Sequence, residues 1–291
     1  MRTTPIHQHT AAFAAYHLAI VDRIVKAAAP DSIFLLGLKI QQTKADSIFH
    51  STLNSSAFIA DVWLLVLLRN FDNKSRQEWQ DKIEAHCNML VPATTIVLQE
   101  AVFREEAENG NSFACTVLRS ADRIYSVADI KYPEVVLSGP DTQETNSLLS
   151  AGISKAREFL AGAELYRLRK QYNLSAFMLH QSAEQSLLAL LLVAMGFRAN
   201  THNVERLLRY GSFLSGALTE IFLSHREEDK KLIKLLQKAY IDTRYGKEYI
   251  IQYSDLVQLT EKVMRIADIA ASTGKQILNT LTSTLQYEKQ Y

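Results

Sequence analysis

The chain has 291 residues, and its 32 lysines and arginines against 31 aspartates and glutamates give a formal net charge of +1. This balance excludes a global electrostatic field that would draw the protein onto nucleic acid or a membrane, so any nucleic-acid site must be local. With 47% hydrophobic and 22% charged residues, the composition is that of a globular protein and excludes extensive disorder.

Length and residue usage also bear on domain count and on the cell compartment. Because domains typically span about 50 to 200 residues, two domains are expected. No apolar run reaches the roughly 18 residues that span a bilayer, and the first residues lack the apolar core of a signal peptide. The two cysteines, Cys87 and Cys115, are too few for a disulfide framework or a cysteine metal site. We therefore expect a cytoplasmic protein with no metal, no cofactor and no membrane contact.

The first part of the chain alternates between predicted helices and predicted strands. An amphipathic helix over residues 10–29 precedes a short apolar run at 31–37, which a glycine ends as it would end a buried strand. The elements predicted after this run are strands at 59–68 and 94–98, helices at 76–88 and 101–109, and a short segment at 122–125. Strands that alternate with helices favour an α/β layer.

The remainder of the chain is predicted to be helical after a linker. Residues 132–141 contain two prolines and a glycine, which break any helix. The helices that follow are predicted at 145–170, 172–195, 201–222, 226–243 and 253–285. Short connections between long helices favour an up-and-down bundle. The predicted class is therefore α+β, with an α/β domain at 1–130, a linker at 131–144 and a helical bundle at 145–291.

Several polar residues interrupt the apolar helix predicted at 172–195, among them His180, Gln181 and Glu184. His180 and Glu184 are four residues apart, so they share one face of the helix. Burying such groups costs free energy unless they are paired or used. Two interpretations stay open: a ligand site, or a polar network that fixes how the helices pack.

A second polar feature is the pair Arg244 and Tyr245 near the end of the helix predicted at 226–243. An arginine can bind a phosphate through two parallel hydrogen bonds, and a neighbouring tyrosine can stack on a base. The alternative is an ordinary ion pair between Arg244 and Asp242 or Glu248.

The helical half resembles the HEPN family, a helical bundle associated with nucleotide and RNA chemistry. The family's first helix motif is matched by Phe177, Gln181, Ala183, Glu184 and Leu187. A Thr-His pair that opens a helix is the second landmark, here Thr201 and His202, with Thr201 as a suitable N-cap. Arg244 and Tyr245 form the third. The resemblance implies nucleotide binding by His180, Gln181, Glu184, Arg244 and Tyr245, and pairing of bundles into a homodimer.

The same resemblance raises a ribonuclease activity, which the sequence disfavours. In ribonuclease members an arginine is followed a few residues later by a histidine that supports cleavage of RNA. Here Tyr249 stands where that histidine would be, and no histidine follows His225. Tyrosine is a poor general base at neutral pH. RNA is therefore not favoured as a partner.

Residues 10–130 resemble the nucleotidyltransferase superfamily, whose domains often accompany HEPN bundles. Active members carry Gly-Ser on a turn and two carboxylates separated by one residue, which hold Mg²⁺ against the nucleotide triphosphate. In this chain Gly37 is followed by Leu38, and Trp63 stands where the partner of Asp61 would be. The resemblance implies a degenerate, catalytically inactive domain.

The sequence thus predicts a bacterial-type HEPN protein that binds a nucleotide or another phosphate-bearing ligand, with no catalytic residue of its own. A structural or regulatory homodimer without a small ligand is the first alternative, in which the apolar run 187–195 serves as an interface. A HEPN ribonuclease or a residual nucleotidyltransferase is the second.

Overall fold

The computed structural model describes residues 10–47, 50–127, 130–135, 142–223, 225–242 and 249–288. The chain divides into two compact units, residues 1–138 and 139–291. A mixed sheet with helices forms the first unit, and helices alone form the described part of the second, so the α+β class is confirmed.

The first unit is built on a four-stranded sheet. Its strands are β1 (Ser32–Ser47), β2 (His50–Leu68), β3 (Ala93–Gln99) and β4 (Asp122–Ser126), arranged in the order β3-β2-β1-β4. β1 runs antiparallel to both β2 and β4, whereas β2 and β3 are parallel. The predicted layer of strands alternating with helices is therefore wrong at its start, because β1 and β2 follow each other directly as an antiparallel hairpin.

This hairpin extends well beyond the strands predicted at 31–37 and 59–68. β4 pairs with β1 only over Ser32–Leu35, and β3 pairs with β2 only over Val62–Leu68. The pairing of β1 with β2 continues past both, to Ser47 opposite His50. Residues 38–57 are rich in Ser, Thr, Asn and Gln, so no run or alternation of apolar residues predicts this extension.

Four helices complete the described part of the first unit: α1 (Thr10–Ala28), α2 (Arg76–Cys87), α3 (Glu100–Glu108) and α4 (Ser112–Ser120). α2 begins with a capping box, in which Ser75 and Glu78 bond each other's backbone N–H groups. Buried Glu84 joins α2 to β3, because its Oε1 accepts hydrogen bonds from Thr95 N and Thr95 Oγ1, both at 2.9 Å.

The second unit is a bundle around one central helix. Its helices are α5 (Thr142–Leu168), α6 (Tyr172–Met195), α7 (Val204–Gly211), α8 (Glu227–Asp242) and α9 (Tyr253–Glu288), with a 3₁₀ helix at Gly216–Glu220. α6 packs against α5, α7, α8 and α9. Length and mean hydropathy alone would allow α6 to cross a membrane. Of the 18-residue stretch of α6 that is apolar enough to do so, however, 67% is buried inside the bundle.

Two details of this bundle correct the sequence predictions. The N-cap of α7 is Asn203, whose Oδ1 accepts a hydrogen bond from Arg206 N at 3.0 Å. Thr201 Oγ1 instead accepts a hydrogen bond from the N–H of Asn203, which precedes the helix. The predicted N-cap at Thr201 is therefore wrong. In the apolar run 187–195, Leu187, Leu190 and Leu191 are fully buried within the bundle, so this run is core and does not form a free interface.

Candidate functional site

A cluster of polar and aromatic side chains lies where α6, the α6–α7 connection and α8 meet. Its members share hydrogen bonds or stacked rings, and they are His180, Gln181 and Glu184 on α6, His202 in the connection, and Gln237 and Tyr240 on α8. The structure therefore brings together the three residues predicted on α6 and adds three that were not predicted.

The centre of the cluster is a pair formed by Glu184 and His202. His202 Nδ1 lies 3.1 Å from both carboxylate oxygens of Glu184. The Glu184 side chain is only 5% exposed, whereas that of His202 is 56% exposed. Because an ionised carboxylate only accepts hydrogen bonds, the hydrogen-bond pattern assigns the proton to Nδ1. The ring's other nitrogen, Nε2, has no partner among the described residues and is left for a ligand or for water.

His180 has a different position and a different role. It is fully buried, and its Nε2 lies 3.0 Å from the carbonyl oxygen of His202, which accepts a hydrogen bond from it. Gln181 Nε2 donates to His180 Nδ1 at 3.3 Å. The pattern assigns the neutral ring with its proton on Nε2. Both nitrogens of His180 are thus engaged, and His180 holds the backbone of His202 in place.

α8 also holds the backbone of His202. Gln237 Nε2 donates to the His202 carbonyl at 3.1 Å, and Gln237 Oε1 accepts from Val204 N at 2.9 Å. The ring of Tyr240 stacks on those of His202 and His180, with centroids 4.5 and 4.9 Å apart. His202 is therefore held by residues of both α6 and α8 before any ligand arrives.

The other predicted site residues, Arg244 and Tyr245, lie outside the described residues. The chain is described again from Tyr249, whose buried hydroxyl donates to the Leu235 carbonyl at 3.1 Å. Burial, followed by the negative charges of Asp242 and Asp255, raises the pKa of the Tyr249 hydroxyl. The phenolate is thus disfavoured, and Tyr249 does not supply the base that a histidine would supply.

The first unit offers one of the carboxylates that a nucleotidyltransferase needs. Asp61 lies on β2, where its Oδ2 accepts from Thr94 Oγ1 at 2.8 Å, and the buried Trp63 follows on the same face. Within the described ranges, no group of three or more His, Cys, Asp or Glu side chains could hold a metal ion. Asp61 with Trp63 does not fit the paired ligands that Mg²⁺ requires in such a site.

Comparison with known proteins agrees with the resemblance of the helical half. Residues 150–270 match the family model of the HEPN domain. The second unit therefore contains a HEPN domain, and the match includes every residue of the polar cluster. No curated protein matches the chain.

Proposed function

We propose that the HEPN domain of this protein binds a nucleotide or another phosphate-bearing ligand in the groove formed by α6, the α6–α7 connection and α8. The observation that carries this proposal is the pairing of exposed His202 with buried Glu184. In the same proposal, the first unit is a degenerate nucleotidyltransferase-like domain that performs no catalysis.

The geometry favours a ligand site over a purely structural network. A network that only fixes helix packing would be expected to bury and saturate its members, as it does for His180. His202 instead keeps one ring nitrogen available on a side chain that is more than half exposed. Its orientation is nevertheless fixed by Glu184 and, through its carbonyl, by Gln237. Such preorganisation lowers the cost of binding a ligand.

The phosphate contact in this proposal comes from Arg244, with Tyr245 on the base or sugar. Arg244 follows Tyr240 by four residues in the sequence, and Tyr240 is already part of the cluster. A guanidinium group forms paired hydrogen bonds to phosphate, which suits this role.

A thermal-shift experiment tests the proposal. A ligand that binds only the folded state raises the melting temperature, so ATP, GTP or a short RNA, with and without Mg²⁺, should do so for the parent protein. We expect Arg244→Ala to abolish the shift without changing the melting temperature of the unliganded protein. Arg265→Ala, at an exposed arginine of α9, removes the same charge and serves as the matched control. No shift with any of these compounds would contradict the proposal.

A structural or regulatory homodimer is the second candidate, because apolar side chains are exposed near the turn between α5 and α6. Leu165, Leu168 and Leu174 are 53%, 67% and 36% exposed. Since the run 187–195 is core, an interface would have to use residues such as these. Light scattering decides this question, and a monomer at micromolar concentration would contradict the dimer.

A further inference from the structure

We infer that His202 contacts the phosphate together with Arg244, and that His202 makes this contact only as an imidazolium ion. The inference rests on the proposed function and adds to it the contact residue and the protonation state that binding requires. It assigns a role to a residue outside the set predicted from sequence, and it makes His180 a positioning residue.

The two histidines of the cluster differ in whether a ligand can reach a ring nitrogen. His180 is fully buried and uses Nε2 on the His202 carbonyl and Nδ1 on the Gln181 amide. A ligand could reach neither nitrogen without breaking one of these bonds. The His202 side chain is 56% exposed, with Nδ1 bonded to Glu184 and no partner for Nε2 among the described residues. Only His202 can therefore offer a ring nitrogen to a ligand.

The position of the proton on the His202 ring decides whether Nε2 can donate a hydrogen bond. A neutral imidazole has one N–H group, and in His202 the carboxylate of Glu184 holds it at Nδ1. In the neutral ring, Nε2 then presents a lone pair, which accepts hydrogen bonds and repels a phosphate oxygen. Only the imidazolium ion has an N–H at both nitrogens. Glu184 thus makes protonation of His202 a condition for phosphate binding.

The titratable groups around His202 are few within the described residues. Glu184 and His180 face it from α6, and Tyr240 stacks on it from α8. On α7 the charged residues that follow in sequence are Glu205, which is exposed, and Arg206, which is buried. Because Glu184 engages Nδ1, Nε2 is the ring nitrogen at which His202 would gain its second proton.

The consequence is an affinity for phosphate that falls as the pH rises. Binding that requires one added proton loses at most about tenfold in affinity for each unit rise in pH, so we expect the affinity for ATP to fall by about tenfold between about pH 6 and pH 8. Isothermal titration calorimetry of the full chain with ATP across this range measures the change. The matched variants are His202→Asn, which removes the titrating ring, and His225→Asn, which removes an exposed histidine of the same unit.

We expect the parent and His225→Asn to lose affinity as the pH rises, and His202→Asn to bind weakly with no such dependence. Glu184→Gln is a second variant, because a glutamine amide can donate to Nδ1 and release the proton to Nε2 in the neutral ring. The Glu184→Gln variant should therefore still bind ATP at high pH.

These measurements distinguish a failure of the role assigned to His202 from a failure of the proposed function. ATP binding with the same affinity across the pH range, or a pH dependence that persists in His202→Asn, overturns the role of His202 while the proposed function stands. Absence of ATP binding at every pH, together with no thermal shift by GTP or short RNA, overturns the proposed function itself. A far-UV circular dichroism melt of each variant establishes that it is folded.

Discussion

At the scale of single residues, burial distinguishes groups that hold the fold from groups that meet solvent. His180 and Glu184 are both buried. His180 holds the carbonyl of His202 through Nε2, and Glu184 orients the His202 ring through both carboxylate oxygens. Sequence spacing placed His180 and Glu184 on one face, because a step of four residues is slightly more than one helical turn. It could not show which of them reaches solvent, since exposure depends on how neighbouring helices cover that face.

Another buried carboxylate, Asp229 on α8, makes the stability of the bundle depend on pH. Its Oδ1 lies 2.6 Å from Lys262 Nζ, and its Oδ2 accepts from Leu223 N at 3.0 Å. Burial acts to raise the pKa of Asp229, but the bonds from Lys262 and Leu223 outweigh it, so the pKa lies below its usual value. A lowered pKa means that the ionised group stabilises the fold above its unfolded pKa of about 3.9, and that this stability is lost as the pH falls further.

We therefore expect Asp229→Asn to lower the free energy of unfolding at neutral pH by about 2 to 4 kcal/mol, because Lys262 keeps a largely buried charge without its partner. Urea denaturation at a series of pH values measures this difference. The gap between parent and variant should narrow below about pH 4. A gap that stays constant down to the lowest pH would contradict the assignment to the Asp229 carboxylate.

At the scale of elements, the close approach of α5 to α6 depends on a glycine. A Cβ atom added at Gly152 would lie 2.6 Å from the Cβ of Ala189, far inside van der Waals contact. Alanine has no side-chain torsion that could relieve this overlap, so the two helices would have to move apart. Gly152→Ala should lower the free energy of unfolding by about 1 to 3 kcal/mol, even though alanine favours helices.

Gly216 is the matched control for this substitution, because a Cβ atom there would meet nothing within 4 Å. Chemical denaturation of both variants should show a loss for Gly152→Ala and little change for Gly216→Ala. Equal stability of the two variants would show that α5 and α6 are not held at the distance seen in the structure.

The elements themselves differ in how far the sequence predicts them. α6 was predicted at 172–195 and is observed over the same residues, because a long apolar helix ends at a glycine, Gly196, whose φ of 68° suits that residue. α2 and β3 were predicted to within a residue at each end. The extended part of the β1–β2 hairpin was missed, because it is defined by backbone pairing between polar segments and carries no hydrophobic signal.

At the scale of the whole molecule, the site depends on contacts between residues far apart in sequence. Glu184 meets His202 eighteen residues later, and His202 meets Gln237 after a further thirty-five. His202 stood in the Thr-His landmark of the resemblance, yet one exposed histidine in a connection has no periodicity that marks it as part of a site. Tyr240 reads equally well as an ordinary core residue. Their roles therefore follow from the packing of the bundle and not from local pattern.

The presence of two units with separate cores allows the location of the ligand site to be tested in the intact chain. Glu84→Ala should destabilise the first unit by about 1 to 3 kcal/mol, because it removes the carboxylate that accepts the hydrogen bonds from the buried N–H and hydroxyl of Thr95. Gly152→Ala should destabilise the second. If ATP binds in the bundle, hydrogen exchange should show protection by ATP in α6 and α8 of both variants, with the protection weaker in Gly152→Ala, since a ligand stabilises the folded unit to which it binds. Protection confined to the sheet of the first unit would place the nucleotide near Asp61 and would contradict the site in the bundle.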